Sequence, residues 1–206
     1  MKPLSIAFYH QRDVVAVAQQ LIGKILHTQI NGAHTSGMIV ETEAYNGVVD
    51  KASHAYGNRR TQRTEIMYAS GGVAYVYLCY GMHHLFNIVT HDAGTPHAVL
   101  IRAVEPLEGM DTMLKRRNKA KPDPSLTKGP GSVSKSLGIH TGLSGSSLLG
   151  PAIWLTENQQ IISPVDIVAT PRIGVAYAQE DAALLYRFHV RNNPYVSGNK
   201  SQNQPH

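Results

Sequence analysis

The sequence predicts an α+β fold: a single compact domain, mainly antiparallel sheet, with flanking helices and a protruding β-hairpin. Three observations carry this. Short β-like runs recur between turn signals, a few windows show apolar residues at helical spacing next to capping residues, and no repeat or boundary breaks the 206 residues. That length suits one domain, at the soft prior of about 150 residues each, and it buries a core without covalent staples. Hydrophobic residues at 42% and charged residues at 16% are globular values, which excludes wholesale disorder.

Taken in order, Asp13 stands at a helix N-cap, with Val14, Val15, Val17, Ala18, Leu21 and Ile22 at helical spacing and Gly23 closing the segment. Residues 24–30 read as a strand, Asn31-Gly32 as a turn and 36–45 as the partner strand, with Ala33-His34-Thr35 lengthening the loop. Side chains alternate along a strand, so Glu41, Glu43 and Tyr45 fall on one face. Residues 46–72 form a long polar segment holding Asp50, Lys51, His54, Arg59, Arg60 and Arg63. Structureless loops of that length are uncommon inside a domain and usually functional. Its arginines either solvate the loop or clamp phosphates, and a net charge of +5 with a pI near 9.3 favours phosphates.

Residues 75–80 and 85–90 read as a hairpin turning at Gly81-Met82, with Tyr75 and Tyr77 on one face and Tyr80 to His84 at the tip. An exposed Tyr80 and Met82 cost solubility, so the tip either meets a partner or folds back on the core. Residues 98–104 form an apolar strand interrupted by Arg102. A charge in such a run is rarely buried unless paired, so Arg102 either meets Glu43 or snorkels to the surface. Residues 108–118 read as a helix with a basic end, Lys115-Arg116-Arg117. After Gly129-Pro130-Gly131, residues 132–137 read as a short helix ended by Gly138. Its N-terminal amides, with Lys128 and Lys135, either hold a phosphate or mark a plain helix start. Strands follow at 152–155, 166–169 and 185–191. The polar stretch 196–206 reads as a disordered tail, leaving 1–195 as the domain.

Several classes are excluded or disfavoured. Cys79 is the only cysteine, so an intramolecular disulfide and a four-thiolate zinc site are ruled out. No apolar run approaches the roughly 20 residues of a membrane span, and the start lacks the apolar core of a signal peptide. The expectation is a soluble, cytoplasmic protein with no membrane partner. His83, His84, His91 and His97 cluster in sequence, but there is no His-Glu-x-x-His, so no metal is expected. Nucleophile-elbow, dinucleotide and Walker motifs are also missing, so no cofactor is expected. What remains is Glu43, Arg102, a Tyr/His-rich concavity and a basic surface. That set suits base excision, in which a nucleotide leaves the stack, a wedge fills the gap, aromatic walls hold the base and a carboxylate activates water. A non-catalytic nucleic-acid-binding module would share the charge and the stacking tyrosines without needing Glu43 opposite Arg102. A metal-dependent hydrolase would instead use the histidines.

The runs Val40-Glu-Thr-Glu-Ala-Tyr45, Tyr75-Val-Tyr-Leu-Cys-Tyr-Gly-Met82 and Leu100-Ile-Arg-Ala-Val-Glu-Pro-Leu107 closely resemble the alkyladenine (3-methyladenine) DNA glycosylase family, the one without a helix-hairpin-helix module. The similarity continues through Gly129-Pro-Gly131, Arg172-Ile-Gly-Val175 and Arg187-Phe-His-Val-Arg191, so it spans nearly the whole chain in matching order. The resemblance implies a single mixed α/β domain without a metal, acting on double-stranded DNA that contains damaged purines; an enzyme that flips a base needs no dimer, so a monomer is expected. It implies monofunctional hydrolysis that removes 3-methyladenine, 7-methylguanine, ethenoadenine or hypoxanthine and leaves an abasic site. By the same resemblance Glu43 is the general base, Arg102 helps hold the nucleophilic water, and the Ile173 carbonyl is a further water ligand. Tyr45 and Tyr77 are the aromatic walls with His54 alongside. Asn87 is the gate that collides with guanine's exocyclic amine, and Tyr80 is the intercalating wedge, with Met82 beside it at the tip. The stretch from Arg63-Thr64-Glu65 to Ser70-Gly71-Gly72 departs from the family pattern, which has Arg-Asn near its start and a proline-containing turn.

Overall fold

The computed structural model describes residues 2–204. Eight strands form one antiparallel sheet: β1 (Ile25–Ile30), β2 (Ala33–Asn46), β3 (Ala74–Cys79), β4 (His83–Thr90), β5 (His97–Glu108), β6 (Ile153–Thr156), β7 (Ile167–Thr170) and β8 (Arg187–Val190). The order is β3-β4-β5-β2-β1-β6, while β8, with β7 outside it, also pairs with β2. The helices are α1 (Ile6–Tyr9), α2 (Val14–Gln20), α3 (Met110–Arg117) and α4 (Pro130–Leu137). This is the α+β architecture expected, with the β3–β4 hairpin reaching into solvent.

Local chemistry accounts for the element ends. Asp13 caps α2, accepting from the amides of Val15 and Ala16 at 2.9 and 3.1 Å. Asn31 and Gly32, at φ of 52° and 75°, make a complete two-residue turn, so β2 starts at Ala33 and the loop is not lengthened. Because β5 runs through Glu108, α3 begins only at Met110, after Gly109 turns the chain. The single-turn α1 is too short to leave a periodic signal. The segment 46–72 is not structureless, since it holds 3₁₀ turns at Tyr56–Asn58 and Glu65–Tyr68.

The spine of the sheet is β2. One edge pairs with β5, and the other pairs first with β1, through Met38, and then with β8, from Glu41 to Glu43. The change of partner coincides with a double irregularity. The β2–β5 register passes from Ile39–Val104 to Glu41–Ala103 and then to Thr42–Ile101, so Val40 and Arg102 are each left as an extra residue. Bulges of this kind re-aim side chains. One face of the sheet is apolar: Ile39, Val76, Phe86, Ile88 and Ile101 pack with Val17 and Leu21 of the α2 region and Val133 and Leu137 of α4. On the other face, segments 46–72 and 171–183 bury Ala52, Ala55, Met67, Val175 and Ala178, and leave the concavity described below.

The tail expectation fails for residues 196–204. Val196 and Ser197 are buried, and Ser201–Asn203 forms a 3₁₀ turn. The segment is polar because its groups bond to buried charges: the Ser197 amide donates to Glu41 at 2.7 Å, and Arg187 donates to the Ser197 carbonyl at 2.9 Å. Residues 205 and 206 lie outside the described residues.

Candidate active site

Strand register assembles the site. Tyr75 of β3 pairs with Asn87 of β4, Asn87 with Leu100 of β5, Leu100 with Glu43 of β2, and Glu43 with Arg187 of β8. Directly paired residues point to the same side, so one transverse row brings together side chains far apart in sequence. Tyr77 and Tyr45 flank this row two residues along their own strands, on the same face.

Glu43 is fully buried and held by three donors. The Ile173 amide reaches Oε1 at 2.8 Å, the Tyr45 hydroxyl donates to Oε2 at 2.8 Å, and Arg102 Nη1 lies 3.3 Å from Oε1. Arg102, left unpaired by the bulge, turns inward as one of the two sequence readings required. Its shorter contact, however, is to Glu41, with Nε at 3.0 Å from Oε1. Glu41 also accepts from Arg187 Nε at 2.7 Å and from the amide and hydroxyl of Ser197 at 2.7 and 2.8 Å. Burial alone would raise the Glu41 pKa, but Arg102, Arg187 and the Ser197 amide outweigh it and hold the carboxyl below its usual range. Burial likewise weakens the Arg102 charge, and Glu43 and Glu41 more than restore it, keeping the guanidinium protonated.

The cavity in front of these groups has a volume of about 540 Å³, and Tyr45, Tyr77, Arg102, Ile173, Tyr177 and the α4 start at Gly129–Ser132 line it. Glu43 sits behind this lining, reaching the space through its three donors. A narrow inner chamber of about 40 Å³ continues past Tyr45, His54 and Tyr77 to Asn87 and Met67. Asn87 is buried there, its amide nitrogen donating to the Tyr75 and Leu85 carbonyls at 3.1 and 3.4 Å. His54 Nδ1 lies 2.8 Å from the Tyr75 hydroxyl, and its ring meets Tyr77 edge-on at 4.7 Å. Burial, then the charges of Arg63 and Arg59, push the His54 pKa down to about 4, so the ring is neutral at pH 7. Burial, and secondarily the Glu43 charge, push Tyr45 well above the ordinary phenol value, so it remains a hydrogen-bond donor.

At the hairpin tip Tyr80 is 89% exposed and Met82 69% exposed. The turn lies at Tyr80-Gly81 rather than Gly81-Met82, with φ of 50° and 70° and the Met82 amide bonded to the Cys79 carbonyl at 3.1 Å. A tyrosine in the left-handed region is uncommon and strained. The tip does not fold back on the core.

The five basic residues separate. Arg63 lines the cavity and places its guanidinium 5.5 Å from the Tyr77 ring centre. Arg60 is tied to Glu65 at 2.6 Å and lies over Tyr68, while Arg59 is exposed. Lys128 and Lys135 are exposed but do not share the α4 N-terminus: Lys128 precedes the helix, and Lys135 belongs to its last turn. Sequence reading missed Tyr177, whose hydroxyl donates to the Ala52 carbonyl at 3.1 Å, because nothing periodic marks an aromatic in an irregular segment. It also missed Asp50–Arg172, a buried two-point ion pair in which Arg172 further donates to the Ala44 carbonyl at 2.9 Å and steadies the chain before Ile173. The roles of Glu41 and Arg187 were missed as well. The signal for Arg187 was the one that singled out Arg102: a charge inside a strand. Among the described residues no group of three His, Cys, Asp or Glu could hold a metal ion.

Comparison with known proteins gives a consistent result. Residues 7–194 match the family model described as Methylpurine-DNA glycosylase (MPG). A relative from Desulfitobacterium hafniense (strain Y51) is 43% identical over 204 residues, covering 96% of this chain and 99% of its own. One from Chlamydia felis is 49% identical over 183 residues, covering 88% and 93%, and one from Natranaerobius thermophilus is 44% identical over 192 residues, covering 93% and 97%. Each of the three carries the name "Putative 3-methyladenine DNA glycosylase".

Proposed function

Because the chain belongs to the methylpurine-DNA glycosylase family, and is a DNA-repair hydrolase of N-glycosyl bonds, we propose that it draws a damaged purine out of duplex DNA and cleaves its N-glycosidic bond with water activated by Glu43. The observation that carries this reading is the buried Glu43 carboxylate, held by Arg102, Tyr45 and the Ile173 amide behind an aromatic-lined cavity. An enzyme acting at C1′ must extrude the nucleotide. Tyr80, presented by a strained turn, fills the gap left in the stack, with Met82 beside it. The base stacks against Tyr45, Tyr77 and His54, and Asn87 closes the deep end against guanine's exocyclic amine. N3- and N7-alkylated purines carry positive charge, and aromatic faces bind cations by about 0.5–2 kcal/mol. Arg63, with its guanidinium 5.5 Å from the Tyr77 ring centre, adds a positive charge at the mouth of this pocket where the DNA strand passes.

Charged bases are good leaving groups, so the protein's task is to supply the nucleophile. Water held between Glu43, Arg102 and the Ile173 carbonyl gives its proton to Glu43 and its oxygen to C1′. The bond to the base breaks with the electron pair leaving on the purine. No amine nucleophile takes part, so the product is an abasic site. The substrate range comprises 3-methyladenine, 7-methylguanine, ethenoadenine and hypoxanthine, the neutral lesions depending more on pocket contacts. One copy carries the whole site, and the working enzyme is a monomer inside the cell, where the genome is. No helix among the described residues is long and apolar enough to cross a membrane.

The test uses duplex oligonucleotides with one lesion each, in chelator, followed by hot alkali to reveal abasic sites. Wild type should yield alkali-dependent cleavage. Glu43→Gln should lose about 10²–10⁴-fold in single-turnover excision, the range of general-base removal, while still binding the duplex. A variant that cuts as fast as wild type would refute the assignment.

A further inference from the structure

A second cavity, of about 450 Å³, lies between β8 and the segment 192–204, with Lys128 on its rim. Lys128, Arg191 and Lys200 line it, and among the described residues no carboxylate does. All three cations are exposed, and the ion pairs found among the described residues are made by other side chains. Among the described residues the Arg191 side chain reaches only the Val165 carbonyl, at 3.4 Å. His189, from the floor, is 2% exposed, and among the described residues neither ring nitrogen meets a partner in full hydrogen-bond geometry, although the Val190 backbone lies near enough to favour the protonated ring. An imidazole always carries at least one N–H, and leaving a buried polar group unpaired costs about 1–3 kcal/mol. Its pKa is lowered by burial and then by the Arg187 charge, so the free ring offers one donor and one acceptor.

Register ties this cavity to the active site. His189 pairs with Glu41, Glu41 with Ala103, and Ala103 bridges to Lys128. His189 and Lys128 therefore share one transverse row, two residues along β2 from Glu43 and on the same face. The next residues after Lys128, Gly129 and Pro130, line the active-site cavity. Lys128 and the two residues after it therefore place the two cavities next to each other.

We propose that the cleft is a phosphate-binding subsite, which holds a backbone phosphodiester of the DNA strand leading away from the base pocket. The proposal rests on the glycosylase reading for its partner. Unpaired cations and a buried hydrogen-bond donor suit a phosphate oxygen, and contacts of this type set register on the duplex without reading sequence.

Two measurements test it. Binding of an undamaged duplex is followed against salt for wild type and for an Arg191→Gln/Lys200→Gln double variant. Losing these contacts should flatten the slope of log K against log salt by about 0.9 for each, with affinity weakened alike on different sequences. In wild type, the ¹⁵N signals of the His189 ring should shift on adding that duplex, a readout that stands even if the variant folds poorly. Unchanged slope together with unmoved His189 signals overturns the proposal. Signals that move with inorganic phosphate but not with duplex overturn the DNA assignment and leave a site for a free phosphate. Excision by the same wild-type preparation is scored separately. Cleavage with unchanged slope and unmoved His189 signals removes only the subsite, and altered slope without cleavage removes only the enzymatic reading.

Discussion

Glu41 and Glu43 are both carboxylates, both fully buried and both within reach of Arg102, yet their surroundings give them different work. Glu41 accepts from two arginines and from both donors of Ser197, and of these partners Arg102 alone lines the main cavity. It is the counter-charge that lets Arg102 and Arg187 be buried. Glu43 has one arginine, and the three residues that contact it, Tyr45, Arg102 and Ile173, are all cavity walls. Removing one partner of a buried ion pair costs about 3–5 kcal/mol when the other is stranded. Glu41→Gln strands Arg187, which is 0% exposed, so its denaturant midpoint should fall steeply. Glu43→Gln leaves Arg102 its bond to Glu41, and its midpoint should fall much less. Urea unfolding of the two variants decides this, and equal losses would show that the two carboxylates share one structural role.

The β3–β4 hairpin shows an element whose local conformation runs against stability. Holding Tyr80 at φ 50° costs about 1–2 kcal/mol relative to glycine. Tyr80→Gly should therefore keep or slightly raise the thermal midpoint while excision falls about tenfold or more, the value of roughly 1.4 kcal/mol of lost wedge energy. A lowered midpoint with full activity would mean that the side chain packs on the protein. The hairpin itself was legible because Tyr75 to Asn87 alternates around a glycine; its turn was misplaced by one residue since tyrosine is not expected at positive φ. The cap at Asp13 and the Asn31-Gly32 turn were legible for the same local reason. Not legible were the bulges at Val40 and Arg102, because register is a property of two strands. Nor was the packing of residues 196–204, whose polar composition resembles a solvated tail until the buried charges it bonds to are in view. Pocket identities came from motif resemblance. Strand alternation alone left Arg102 with two readings, and the inward one is what the bulge produces.

For the whole molecule, pH acts through buried histidines. Burial first, then neighbouring positive charge, holds His27, His54 and His97 at about 4, below the ordinary 6.5. An unfolded chain takes up those protons near 6.5, so between pH 6.5 and 4 the unfolded state binds more protons. Stability is therefore full above about 6.5 and is lost as pH falls through this window. For His27, 5% exposed, the loss approaches about 1.4 kcal/mol per pH unit. Glu41, with its lowered pKa, adds a loss of the same sign below its usual 4.5. Urea midpoints at pH 7, 6 and 5 should fall in that order, and a flat series would contradict the buried-neutral state of these rings. The row Tyr75–Asn87–Leu100–Glu43–Arg187 has a consequence of another kind. Five strands, from sequence positions more than a hundred residues apart, must be in register before the carboxylate, its arginine and the aromatic walls share a face. A slip of one residue in any of them turns its contribution to the other side. Under the proposed reaction, a partly folded or misregistered chain thus carries no half-competent centre able to strip bases from sound DNA. Bond-breaking capacity, if Glu43 supplies it as proposed, arrives only with the completed sheet, as an all-or-none property of folding.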